Sequence, residues 1–172
     1  LAIMNVAVSI FVFKQVPLFA ARFFIWLLSH SIYRVKHIDL HHIPDKGPAL
    51  LTCNHVSFVD TLLLNGAIRR PIRFIMTKRI YDIPGLNFVF RTVRAIPITS
   101  KSEDPEAYER AFDEVDQALA DGDLVCIFPE GVLTTDGEMQ PFRGGMQKII
   151  TRRAVPVVPL ALRGLWGSLF SA

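Results

Sequence analysis

An α/β fold with a mostly parallel central sheet flanked by helices, preceded by an N-terminal membrane-associated helical segment, is what this sequence predicts. Three observations carry that expectation. Short apolar runs alternate with segments of helical periodicity from residue 43 onward, the order that builds parallel sheets. The runs, such as residues 124–128, are continuously apolar rather than alternating, as strands covered on both faces require. Finally, the first acidic residue of the chain is Asp39, so the start of the chain is apolar and cationic only.

Residues 1–28 hold most of the apolar excess of a 172-residue chain that is 51% hydrophobic and 20% charged. Lys14, Arg22, Arg34 and Lys36 punctuate these runs and Pro17 interrupts them. Neither apolar piece reaches the roughly 20 residues that cross a bilayer. Two readings stay open: a pair of helices in the membrane interface with snorkelling cations, or the end of a transmembrane helix followed by an interfacial one. Either way, the cations mark a cytoplasmic face. The division expected is a membrane-associated segment over 1–38 and a catalytic-sized domain over 39–172.

Within that domain the elements follow in turn. Residues 49–53 form a strand, 58–68 a helix, 72–76 a strand, 83–92 a helical stretch and 96–98 a strand. Asp104-Pro105 supplies an N-cap and a first-turn proline, and Tyr108, Ala111, Phe112, Val115 and Leu119 recur at three- and four-residue spacing, which makes an amphipathic helix to residue 120. Asp121-Gly122 turns the chain into the strand at 124–128. Residues 145–152 read as a helix and 155–162 as a further buried strand, with Pro156 and Pro159 placing it at an edge or making it irregular. Cys53 and Cys126 fall inside predicted strands, which favours free thiols over a disulfide framework.

The chemistry concentrates in Asn54-His55-Val56-Ser57-Phe58-Val59-Asp60. On one continuous helix, positions five apart diverge by roughly 140°, so the two side chains meet only if His55 lies in a turn before the helix. A neutral imidazole with a pKa of about 6.5 can take a proton from an alcohol if a carboxylate fixes its tautomer. Ser57-x-x-Asp60 reads equally as a variant capping box, in which the carboxylate satisfies helix amides and His55 is a loop residue. Both can hold at once. Phe128-Pro129-Glu130-Gly131 follows a strand, where open α/β sheets carry ligand-binding loops; an isolated acid such as Glu130 is more commonly a solvated turn carboxylate.

Asn54-His55-x-x-x-x-Asp60 together with Phe128-Pro129-Glu130-Gly131 resembles the glycerolipid acyltransferase family typified by 1-acylglycerol-3-phosphate acyltransferase, over residues 43–162. Val155-Pro156-Val157-Val158-Pro159 matches the family's proline-containing strand. The wording of residues 54–60 is similar to bacterial 2-acylglycerophosphoethanolamine acyltransferase domains, which are often fused to a lysophospholipid transporter. In such a fusion the apolar stretch ending near Phe13 is the end of the last transporter helix.

The resemblance implies acyl transfer from an acyl-CoA or acyl carrier protein thioester to a lysophospholipid hydroxyl at the cytoplasmic face of a bacterial inner membrane, with no bound cofactor or metal. His55 is then the general base and Asp60 its holder. Asn54 and Ser57 join them from the first motif, and Glu130 and Gly131 match the motif associated with the glycerophosphate acceptor. Lys78, Lys101 and Arg143 are the candidate phosphate cations, Arg143 because it precedes a helix N-terminus. Two departures bear on the acceptor. Lys101 stands where many relatives carry arginine, and Gly131-Val132-Leu133-Thr134 replaces their Gly-Thr-Arg. Fewer fixed guanidinium groups suit an acceptor whose phosphate is already substituted.

Three rivals remain. A hydrolase would use Ser57 or Cys53 beside His55, yet neither lies in a Gly-x-Ser-x-Gly elbow. A non-catalytic module would hold a lysolipid for a transporter. A metal site lacks a ligand set beyond His55 and Asp60, His41-His42 having no matching partners. A net charge of +3 with the cluster Arg69, Arg70, Arg73, Lys78 and Arg79 fits an anionic membrane surface and requires no nucleic acid.

Overall fold

The computed structural model describes residues 33–168 and 171, together with scattered helical positions between 4 and 31. The N-terminal segment expected over 1–38 lies largely outside the described residues. Among the described residues, no helix is long and apolar enough to cross a membrane.

Five strands form one sheet: β1 (Ala49–Cys53), β2 (Ile72–Thr77), β3 (Ile96–Ile98), β4 (Leu124–Ile127) and β5 (Val157–Leu160). Their order is β3-β2-β4-β1-β5, and every pairing is parallel. Five helices connect them: α1 (Asp60–Ala67), α2 (Lys78–Tyr81), α3 (Asn87–Thr92), α4 (Pro105–Ala120) and α5 (Gly145–Arg152). The sheet is mostly covered on both faces. Leu51, Cys53, Leu124 and Cys126 pack with Leu64 and Ile68 at the end of α1, whereas Leu50, Val125 and Ile127 pack with α4 and Ile149 of α5. The two-residue period of the strands thus feeds two cores, which is why β1 and β4 are buried at every position.

Helix α4 starts as its residues dictate. Asp104 Oδ1 accepts from the Ala107 amide at 2.8 Å and Pro105 occupies the first turn. Its apolar stripe of Ala111, Phe112, Val115, Ala118 and Leu119 is buried, each large side chain contributing about 1.5–3 kcal/mol. Its polar face binds α5, with Lys148 and Arg152 on Glu109 at 2.6 and 2.7 Å and Arg153 bidentate on Asp116 at 2.8 Å.

Four expectations are corrected. The helical stretch at 83–92 is helical only from Asn87, as α3, because Pro84 lacks an amide donor and Gly85 takes φ +84°, which keeps residues 83–86 out of the helix; the short helix α2 precedes it at 78–81. Helix α1 begins at Asp60 instead of residue 58, since the amides of Val56 and Ser57 are taken by the Asp60 carboxylate. The strand at 155–162 is shorter and half exposed: β5 is an edge strand paired with β1 alone, consistent with its prolines. Finally, the basic cluster at 69–79 is not one surface. Arg70 donates to the carbonyls of Pro44, Gly47 and Gly122 at 2.7–2.8 Å. Arg73 is buried, donating to Arg94 O at 2.9 Å and to Glu114. These two arginines stand at the start of β2, while Lys78 and Arg79 follow its far end, a strand length of about 20 Å away.

Candidate active site

Parallel pairing of β1 with β4 brings two segments distant in sequence to the same edge of the sheet, its carboxyl edge. The chain leaves β1 into Asn54 and His55, and leaves β4 into Phe128, Pro129, Glu130 and Gly131. Neighbouring strands lie about 4.8 Å apart, so the two loops are in contact.

The first contact is between imidazole and carboxylate. His55 Nδ1 lies 2.8 Å from Asp60 Oδ2, and the same oxygen accepts the backbone amides of Val56 at 2.7 Å and Ser57 at 3.0 Å. An oxygen already accepting two amide protons serves as an acceptor for the third group too, which assigns the proton to Nδ1 and the lone pair to Nε2. The amides satisfied by Asp60 precede α1, whose N-cap is Val59, so the carboxylate organises the turn and not the helix end. Asp60 is wholly buried, while the His55 side chain keeps 23% of its surface exposed. The Phe128 ring stacks on the imidazole, centroids 4.1 Å apart at 18°, and closes one of its faces.

The second segment grips His55 by its backbone. Glu130 Oε1 accepts the His55 amide at 2.8 Å, and Oε2 accepts the Gln140 amide at 2.7 Å. The Thr134 amide in turn donates to His55 O at 3.0 Å. Glu130 is therefore no solvated turn acid: it is 1% exposed, and both its oxygens are engaged by main-chain amides. Thr134, equally buried, uses its hydroxyl to order the turn at Asp136, Gly137 and Glu138. Asn54 bridges to the strand on the other side, its side chain exchanging bonds of 2.8 and 3.0 Å with the main chain of Leu162.

Gly131 has φ +67°, and a Cβ there would fall 2.9 Å from Arg143 Cδ. The Arg143 stem thus lies directly against the loop that holds His55. Arg143 is exposed, and among the described residues it has no carboxylate partner. The lysines are placed differently. Lys78 is exposed and pairs with Asp82, and Lys101 is exposed near Glu109. Both follow strands at the same edge, but β2 and β3 stand two and three places from β1, roughly 10 and 14 Å sideways. The structure brings together His55, Asp60, Asn54, Glu130, Gly131 and Arg143, and leaves Lys78 and Lys101 apart from them.

Neither candidate nucleophile of a hydrolase is presented for reaction. Ser57 is fully buried. The Cys53 thiol is pushed up to about 12, first by burial and then by the Asp60 charge, so no thiolate is available near neutrality. Burial pushes the Cys126 thiol up as well. Phe128, Thr134 and Gln140 were not assigned roles from the sequence. Phe128 belongs to a quoted motif, but only strand adjacency reveals what it stacks on; for Gln140 no local signal exists.

The family model described as Acyltransferase matches residues 34–163. The chain is 29% identical over 149 residues to the chloroplastic 1-acyl-sn-glycerol-3-phosphate acyltransferase BAT2 of Brassica napus, covering 85% of this chain and 42% of that protein. It is 28% identical over 143 residues to 1-acyl-sn-glycerol-3-phosphate acyltransferase of Pseudomonas aeruginosa, covering 81% and 54% respectively. Its fold matches the crystal structure of the 1-acyl-sn-glycerophosphate (LPA) acyltransferase PlsC from Thermotoga maritima, with a TM-score of 0.60 and 25% identity over 76% of this chain and 50% of that one. The chain thus spans about half the length of these relatives.

Proposed function

The chain belongs to the acyltransferase family, and from that premise we propose that it transfers a fatty acyl group from a thioester donor, acyl-CoA or acyl carrier protein, to the free hydroxyl of 1-acylglycerol-3-phosphate at a membrane face. The observation that carries the reading is the His55–Asp60 pair at 2.8 Å, anchored through the buried carboxylate and leaving Nε2 as the basic nitrogen.

The acceptor hydroxyl gives its proton to His55 Nε2 as its oxygen attacks the thioester carbonyl carbon. The positive imidazolium that results faces the Asp60 carboxylate, which offsets its charge. The tetrahedral intermediate collapses with rupture of the carbon–sulfur bond, and the departing thiolate takes the proton back from the imidazolium. The products are an ester and a free thiol, and no acyl group passes through the protein.

Glu130 serves as a positioning residue. Its two bonds tie the His55 amide to the Gln140 amide, holding the base at a fixed height over Phe128. Arg143 supplies the guanidinium for the acceptor phosphate. It supports a phosphomonoester acceptor even though residues 132–133 carry no arginine, since the loop delivers the charge from ten residues further on.

The test is diacyl product formation with 1-acylglycerol-3-phosphate and acylglycerophosphoethanolamine as acceptors and both classes of thioester as donors. The wild-type protein should favour the phosphomonoester, and His55→Ala should lose activity by on the order of 10²–10⁴-fold. Full transfer by His55→Ala, or a stable acyl adduct on the wild-type protein, would overturn the mechanism.

A further inference from the structure

Helices α2 and α3 bury none of their residues, although the segment they span carries several large apolar side chains. Ile80, Ile83, Leu86, Phe88 and Val89 are exposed, Phe88 by 73%. Short helices with apolar faces normally place them on a core, and this sheet already has its two cores from α1 and from α4 with α5. The ridge therefore has no covering partner among the described residues. Its charge is one-sided. Between Thr77 and Ser102 the only acid is Asp82, against Lys78, Arg79, Arg91, Arg94 and Lys101. Asp82 is consumed by Lys78; Arg79 and Arg91 have no carboxylate partner among the described residues.

The ridge starts at the carboxyl edge of the sheet. Residue 78 follows β2 directly, as residue 54 follows β1, and the strands are parallel through β4. Phe58 and Phe142, 62% and 55% exposed, are further apolar side chains on the loops that follow β1 and β4.

We propose that the α2–α3 ridge is an interfacial docking surface for an anionic lipid bilayer, with Leu86 and Phe88 entering the acyl boundary and Arg79 and Arg91 meeting lipid phosphates. Apolar side chains next to unpaired cations, on helices far too short to span, are the combination that settles in the interface plane. Docked there, the ridge turns the His55 edge toward the layer in which a lysolipid resides. This consequence rests on the acyl-transfer reading; the docking itself does not.

A thiol-reactive, environment-sensitive fluorophore at Phe88→Cys tests the surface directly, because Cys53 and Cys126 are buried and remain unlabelled. The control is the same probe at Asp121→Cys, on the exposed turn that leads into the opposite end of β4. With vesicles of phosphatidylglycerol and phosphatidylcholine, the probe at 88 should brighten and shift to the blue while the probe at 121 does not change. Leu86→Ser/Phe88→Ser should weaken vesicle binding at least tenfold, and pure phosphatidylcholine or high salt should weaken binding of the wild-type protein. A vesicle-bound protein whose residue 88 stays in water overturns the proposal. So does a blue shift that follows protein concentration without vesicles, which would identify a second copy as the occupant. His55→Ala should bind vesicles like the wild type, and transfer to detergent-dispersed acceptor should survive in Leu86→Ser/Phe88→Ser, so docking and chemistry fail separately.

Discussion

Replacing Glu130 with Gln preserves the side chain's volume and removes one of its two acceptors. In the native site Oε1 and Oε2 take the amides of His55 and Gln140 at 2.8 and 2.7 Å, at a position 1% exposed. Glutamine keeps a single carbonyl oxygen and turns an NH₂ toward the other amide, so one backbone donor loses its acceptor. A bond to a charged acceptor contributes about 1.5–3 kcal/mol, and an orphaned donor costs about the same. We expect a loss of about 2 kcal/mol, which for a chain of this size lowers the melting temperature by about 4–8 °C. Loosening of the His55 backbone should lower kcat with little change in the acceptor KM. Thermal unfolding and steady-state kinetics on the same preparation read both effects. An unchanged melting temperature with a rise in acceptor KM alone would show that Glu130 touches the acceptor, and would refute the positioning role.

Asp60→Asn retains an oxygen able to accept from His55 Nδ1 and the two amides but withdraws the charge that faces the imidazolium; kcat should fall by at least about 10²-fold with the circular dichroism spectrum retained, and unchanged turnover would remove Asp60 from the chemistry. Gly131→Ala forces a Cβ onto a backbone at φ +67° and to within 2.9 Å of Arg143 Cδ. About 1–2 kcal/mol of strain and a displaced guanidinium should raise the KM for a phosphomonoester acceptor more than for an uncharged acylglycerol, and equal effects on both would remove Arg143 from phosphate recognition. With the Cys53 thiol pushed up to about 12 from its ordinary 9.0, the unfolded state releases this proton first as pH rises. The contribution is intact below pH 9 and is lost progressively between about 9 and 12. Cys53→Ala should flatten the alkaline slope of stability in denaturant titrations, and a slope equal to that of the wild type would contradict the shift.

Much of the frame was legible along the chain because the interactions that build it are local. The Asp104-Pro105 start and the apolar spacing of α4 depend on neighbours within one or two turns, and the uninterrupted apolar run of β4 states that both its faces are covered. The meeting of His55 with Asp60 was legible only as a condition: a spacing of five allows the contact through a turn and forbids it along one continuous helix, while a capping role for Asp60 stayed open. Three features misled. Pro84-Gly85 holds residues 83–86 out of a stretch whose apolar residues suggest a helix from 83 to 92, so that α3 starts only at Asn87. Arg70 and Arg73 look like surface charge in sequence and instead clamp the fold, because main-chain carbonyls from Pro44 to Gly122 and the Glu114 carboxylate accept from them, which no local pattern announces. Glu130 looked like a solvated or acceptor-facing acid, since nothing in its own tetrapeptide reveals the amide it binds 75 positions earlier.

Residue order and chemistry alone specify an α/β sheet, a histidine and a carboxylate close enough in sequence to meet across a turn, and a second motif after another strand. These follow from backbone periodicity, capping and titration properties, all of which act over a few residues. Strand order had to come from the folded molecule. Placing β4 between β2 and β1 is a global choice among packings, and it converts two separate motifs into one site: Phe128 beneath the imidazole, Glu130 and Thr134 on the backbone of His55, Arg143 over Gly131, and the two lysines too far along the edge to join them.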